Sequence, residues 1–257
     1  MKRSIVMAIT GALISSTALT HSLAAQTKVS GTATTAATAN GPVPRMPDGH
    51  PDLSGVWWRG ADIGRLSFAP AGGRGAPRPT SFADLYQSEA AAKAKTLGDK
   101  DDPSQRCIPT AFGTLNVSLF DVGAVGQIVQ TPKFVIVLTE TYHGFQIIPF
   151  DGRAHRDEVP PSWRGDAVGR WEGDTFVVDK TNFTDNTWIS AEGRVSFHSD
   201  ALHIVERYRR LDAKTLEIEA TLEDPKVLTK PWVVPKQTLT LAPFDQLLQL
   251  DCTPSSY

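Results

Sequence analysis

The feature that most constrains this chain is the alternation near its C-terminus. Leu216, Ile218, Ala220 and Leu222 interleave with Glu217, Glu219, Thr221 and Glu223. Such a segment reads as a strand with one apolar face and one face in water. Short β-branched and aromatic runs, broken by turn residues, continue this all-β grammar from Gly126 onward. They predict strands at 126–131, 133–140, 143–150, 167–172, 174–180, 201–211, 214–223, 232–242 and 246–251. Upstream, Asp52 to Trp58 reads as a first strand with one of its two adjacent indoles facing inward. An internal echo supports a meander. Arg170-Trp171-Glu172-Gly173-Asp174-Thr175-Phe176-Val177-Val178 and Arg210-Leu211-Asp212-Ala213-Lys214-Thr215-Leu216-Glu217-Ile218 each read as strand, acidic turn, Thr and strand, so both are predicted hairpins. Two copies are fewer than the four blades a propeller needs at minimum.

One helix is expected. Thr80 or Ser81 caps a run from Phe82 to Thr96, with Phe82, Leu85 and Tyr86 at helical spacing, alanines favouring continuation, and Gly98 as the stop. A mainly β chain of this kind is expected to form a single antiparallel up-and-down barrel with that helix near its N-terminal side, because closure removes sticky edges. A two-sheet β-sandwich is the alternative.

The N-terminus reads as an export signal. Lys2 and Arg3 precede an apolar run from Ile5 to Leu19, and Ser22-Leu23-Ala24 offers a small-x-small cleavage site. The run is broken by Gly11, Ser15, Ser16 and Thr17 and falls short of the ~20 residues that span a bilayer. The expected organisation is a signal peptide at 1–24, a flexible leader at 25–43 and a barrel domain at 44–257, in the periplasm or secreted, with no integral membrane span after cleavage. Cys107 and Cys252 are the only cysteines, and in an oxidising compartment a disulfide is the default expectation, two buried free thiols the alternative. The formal net charge of −2, more negative still once Lys2 and Arg3 leave, and the lack of any basic run disfavour nucleic acid and anionic membrane as partners. Oligomeric state is left open.

Pro47-Asp48-Gly49-His50-Pro51-Asp52-Leu53-Ser54-Gly55-Val56-Trp57 resembles the opening of a large, mostly uncharacterised family of secreted bacterial proteins. Gly169-Arg170-Trp171-Glu172-Gly173-Asp174-Thr175 and Ser199-Asp200-Ala201-Leu202-His203-Ile204-Val205-Glu206-Arg207-Tyr208 extend the resemblance across roughly residues 44–253. The resemblance implies no particular reaction. The family pattern often places a basic or hydroxylated pair after the His of the central strand, whereas here Gly144, Phe145 and Gln146 follow His143. Leu53-Ser54-Gly55-Val56-Trp57 is also similar to the Gly-x-Trp first strand of lipocalins.

The densest polar cluster joins Tyr142, His143, Asp151, Arg153 and His155. His143, Asp151, Arg153 and His155 are the candidate catalytic residues: His143 as base or acid, Asp151 orienting an imidazole, Arg153 holding a carboxylate or oxyanion. The plainer reading makes His143 a core residue and Asp151-Gly152-Arg153 a turn fixed by an ion pair. Tyr142, Trp163, Trp171, Trp188 and Tyr208 are candidate ligand-binding aromatics, otherwise core. His198, Asp200 and His203 raise a metal site, but on one strand His203 faces away from the other two, so no metal and no cofactor are expected. No Gly-x-Ser-x-Gly elbow or phosphate-binding glycine loop occurs.

Three functions are compatible with this reading. The first is a cofactor-free lyase, isomerase or hydratase using acid–base chemistry on a small hydrophobic or aromatic compound. The second is a non-catalytic periplasmic carrier of such a ligand. The third is a structural envelope protein with a filled core.

Overall fold

A computed structural model describes residues 40–59, 80–112, 125–140, 144–156, 158–189, 195–248 and 252–254. The expected signal and nearly all of the leader lie outside these residues. Nine strands form one antiparallel sheet: β1 (Gly55–Trp58), β2 (Gly126–Gln130), β3 (Phe134–Thr139), β4 (Phe145–Pro149), β5 (Asp166–Glu172), β6 (Thr175–Thr181), β7 (His203–Arg210), β8 (Thr215–Glu223) and β9 (Trp232–Leu241). Their order is β4-β3-β2-β1-β9-β8-β7-β6-β5. Each strand lies beside its neighbours in sequence, and β1 joins the two arms by pairing with both β2 and β9. The end strands β4 and β5 approach without a ladder, so the result is a nearly closed up-and-down barrel rather than a two-sheet sandwich.

Alternation decides which side chains face inward. Leu216, Ile218, Ala220 and Leu222 of β8 are buried, while Glu219 and Glu223 are exposed. A bulge between Ile218 and Ala220 shifts the pairing with β9 where Pro235 has no N–H to give the ladder. The β5–β6 hairpin turns on Gly173 and Asp174, with Gly173 at φ +60°, a conformation glycine adopts without penalty.

Two apolar clusters fill the described interior. One gathers Leu53, Trp57, Ile128, Val137, Phe176 and Leu216 inside the barrel. The segment before β1 packs against that end: Arg210 donates to the Asp52 carbonyl, Leu53 N–H donates to Gln130 Oε1, and the His50 ring stacks on Trp171 at 4.5 Å. The other cluster joins Ile204, Leu222 and Trp232 to Phe82, Tyr86, Trp188 and Phe197. Cys107 and Cys252 form a disulfide across 145 positions. In the chain-entropy account closure of so long a loop contributes up to about 5 kcal/mol.

Two sequence expectations are corrected. The helix expected over 82–96 is split into a 3-10 turn at Phe82–Leu85 and α1 at Ser88–Ala94. Between them Tyr86 bridges to Leu228 and Gln87 N–H donates to the Val227 carbonyl, tertiary bonds that replace helical ones. The strand expected at 246–251 is not formed at 246–248, and 249–251 lie outside the described residues. The edge of β9 is already paired with β1 through Trp57 and Trp58, so no place remains there for it. Among the described residues no helix is long and apolar enough to cross a membrane.

Candidate functional site

No ladder joins β4 to β5, and a cleft of about 360 Å³ lies along that seam. Its apolar side is built by β3 and β4, with Phe134, Phe145, Ile147 and Pro149. Its polar side comes from the connection to β5 and includes Arg153, Arg156, Arg164 and Asp166. Gln146 spans the gap, its amide donating to the Arg164 carbonyl at 3.0 Å.

The three guanidiniums differ in their partners. Arg153 is bound to Asp151 by two side-chain bonds at 2.8 and 2.6 Å, both groups being well exposed. That bond holds the Asp151 carboxyl down at about 2. Arg156 grips Asp166 through Nε at 2.7 Å and Nη2 at 2.5 Å. Burial works to raise the Asp166 pKa, but the bonds from Arg156 and His155 outweigh it and keep the group below its ordinary value. Arg164 is different: its one side-chain hydrogen bond is a long one, 3.4 Å to Thr139 Oγ1, and no carboxylate lies within ion-pair distance of it among the described residues. Burial lowers its pKa, opposed by the charge of Glu206. Gly144 makes room for it, since a Cβ there would sit 2.5 Å from Arg164 Nη2 and 2.6 Å from Thr139 Oγ1.

Behind Arg164, inside the barrel, Lys180 Nζ lies 2.8 Å from Glu206 Oε2, and Tyr208 donates its hydroxyl to the same oxygen at 2.7 Å. Both charged side chains are about 2% exposed or less. By register they sit where the two apolar clusters meet, Lys180 opposite Ala167 and Ile204, Glu206 opposite Val178 and Ala220. Burial lowers the Lys180 pKa, with Glu206 opposing and Arg164 reinforcing that shift.

Outside the barrel, beside the cleft, His155 is held between two carboxylates, Nδ1 at 3.1 Å from Asp166 and Nε2 at 3.1 Å from Asp179. His203 of β7 reaches the same Asp179 oxygen at 3.0 Å, with its Nδ1 3.6 Å from Glu223. Among the described residues no three such side chains are placed to hold a metal ion.

The residues expected from sequence are therefore dispersed. Tyr142 and His143 lie outside the described residues. Asp151 and Arg153 form the turn's own ion pair, and the carboxylates against an imidazole are those of Asp166 and Asp179. Trp163 is 45% exposed, one position before Arg164. Trp171 lies against Phe176 and His50, Trp188 in the cluster around the helix, and Tyr208 in the interior against Glu206. His198 is buried, with Thr187 and the Ser199 carbonyl as partners, and burial lowers its pKa. Asp200 pairs with Lys226 at the surface. The sequence reading missed Arg164, Lys180 and Glu206. Parity carried a signal for the last two, since Lys180 shares the inward face of β6 with Phe176 and Val178, and Glu206 that of β7 with Ile204 and Tyr208. Comparison with known proteins returned no matching family model, curated protein or solved structure.

Proposed function

We propose that the chain is an exported binding protein that carries a small amphiphilic anion, typified by a carboxylate on an apolar body, in the cleft between β4 and β5. The observation that carries this reading is Arg164, which lines the cleft beside its apolar walls and whose guanidinium makes, among the described residues, one long hydrogen bond, to Thr139, and no ion pair. Two cations, Arg164 and Lys180, draw on the one nearby carboxylate of Glu206, which leaves room for a second anion, and a planar fork of donors matches a carboxylate in bidentate fashion. The cleft volume of about 360 Å³ lies in the range of small-molecule sites. Export is supported by the N-terminal signal pattern and accords with the Cys107–Cys252 bond.

Calorimetric titration with a panel of small carboxylates, aliphatic and aromatic, tests the reading. Saturable binding is expected, and Arg164→Gln should weaken it by about 1.5–3 kcal/mol, or roughly ten- to hundredfold. Equal affinity in the variant, or no binding across the panel, overturns it.

A catalytic form of the same reading is favoured by His155, an imidazole oriented by Asp166 and Asp179 beside the cleft. In that form the protein is a cofactor-free lyase, isomerase or hydratase. Mass analysis of bound ligands after incubation distinguishes the two: conversion lost in His155→Gln or His143→Ala, with the melting temperature within a few degrees, marks an enzyme. Ligand recovered unchanged marks a carrier.

A further inference from the structure

At the end of the barrel where β5 and β7 begin and β6 and β8 finish, the segment 150–156 that follows β4 meets a row of ionisable side chains. His155 of that segment lies between two carboxylates, Nδ1 at 3.1 Å from Asp166 Oδ2 and Nε2 at 3.1 Å from Asp179 Oδ1. A neutral imidazole has one N–H and donates to only one of them, which leaves the lone pair of its other nitrogen against a carboxylate oxygen. The imidazolium donates to both. His203 brings its Nε2 to the same Asp179 oxygen at 3.0 Å, and its Nδ1 faces Glu223 at 3.6 Å. Each element against which the two rings lie supplies a charge: Asp166 from β5, Asp179 from β6, Glu223 from β8 and Arg156 from the segment itself. Arg153, which also feels the charge of Asp166, is paired with Asp151. Three carboxylates thus meet one guanidinium, and two imidazolium charges bring the cluster to neutrality. Both rings reach water, the side chains of His155 and His203 being 24% and 34% exposed, so protons can exchange with solvent.

We propose that His155 and His203 form a pH-sensitive clasp: as imidazolium ions they fasten the segment 150–156 to β5, β6 and β7 through Asp166 and Asp179, and on losing their protons they loosen it. Protonated rings make more bonds in the clasp than neutral ones, so the clasp is firm at mildly acid pH and weakens as pH rises through the imidazole range. Burial works to raise the Asp166 pKa, but the bonds from Arg156 and His155 outweigh it, so this carboxylate keeps the charge that the clasp grips. Arg153, Ala154 and Arg156 line the cleft, and it is therefore the polar side of the cleft that the clasp steadies. The clasp acts whether or not the cleft is filled.

Residue-resolved amide hydrogen exchange on the full-length protein tests it. The Arg156 N–H donates to Asp166 Oδ2 at 3.1 Å and reports on the clasp, while the Arg153 N–H donates to Asp151 and is the control. After correction for the intrinsic pH dependence of exchange, the Arg156 amide is expected to open roughly three- to tenfold more often at about pH 8 than at about pH 5.5, with Arg153 unchanged. Nitrogen NMR of the two rings should show a change from two protons to one over the same pH interval. The double variant His155→Gln with His203→Gln keeps donors that do not titrate, and its Arg156 amide should be equally protected at both pH values. Equal protection of Arg156 at the two pH values in the unaltered protein overturns the clasp. So do ring titrations that fall away from the exchange transition, a measurement that needs no variant, and a pH dependence that persists in the double variant.

Discussion

The strands β2–β4 and the strands β5–β9 belong to one sheet and both turn apolar side chains inward, yet their outer faces differ. Outside, the five-strand arc carries a chain of ion pairs around Val205 and Val233: Glu172 joins Arg170 and Arg207, Glu217 joins Arg209 and Lys236, and Lys236 continues to Glu219. Inside, the same arc carries the Lys180–Glu206 pair. The three-strand arc turns Ile128, Val135, Val137 and Ile148 inward and Phe145 and Ile147 outward. A strand with apolar residues on both faces ordinarily occurs where both faces are covered. The charged arc presents ions to water, whereas the apolar arc leaves Phe145 and Ile147 half or more exposed to it.

The contrast can be broken at several points. The largest effect is expected inside the charged arc. Glu206→Leu strands Lys180 without its counter-charge and should cost about 3–5 kcal/mol in urea unfolding, whereas Lys180→Met combined with Glu206→Leu should recover most of it. If the single and double variants are equally destabilised, packing rather than charge holds that layer. Next comes the join between the arcs. Asp166→Asn weakens the grip of Arg156 and His155 and should cost about 1–2 kcal/mol, reduced from a fully buried pair because Arg156 is exposed. The Asp166 and Asp151 carboxyls are held below their ordinary value of 3.8 in the folded state, so the stability they contribute is present above that pH and is lost as pH falls through their folded values. The acid limb of the pH–stability curve should therefore flatten in Asp166→Asn, and an unchanged limb would remove Asp166 from that account. On the outer face of the five-strand arc, Glu217→Gln should cost about 1 kcal/mol or less, as thermal melts would show. The smallest stability effect belongs to the outer face of the other arc: Phe145→Ser and Ile147→Ser should each stay within about 0.5 kcal/mol. A loss of several kcal/mol there would mean that the face already packs against the chain itself.

The strand grammar was legible because side chains in a barrel sort by parity, and β8 shows it plainly. Leu216 to Leu222 advertises a wall with one dry side, and eight of the expected strands from Gly126 onward form at or within a few residues of the expected places. The helix was over-extended because Tyr86 and Gln87 satisfy their local pattern equally well in a helix or in bonds to Leu228 and Val227, and only the tertiary partner decides. The site was less legible. Histidines and indoles stand out in a sequence as types, whereas Arg164 matters through its place: it follows Trp163 in a connection without periodicity, and Thr139, which it bonds, and Gly144, which leaves it room, come from another part of the chain. Lys180 and Glu206 were readable by the same parity that identified β8, as inward positions filled by charges of opposite sign.

The position of β1 between β2 and β9 sets the order of assembly. Trp57 faces Leu241 across a ladder whose two strands lie near opposite ends of the described chain. The first of the described strands to be synthesised is thus the one whose second partner arrives last. Every hairpin from β5 to β9 can form locally, but the barrel has no circumference until the oldest segment meets the newest, a contact whose chain entropy makes it slow. Until then both margins of the sheet are open, and a nascent chain is exposed to proteases and to its own copies for longer than the sum of its hairpins requires.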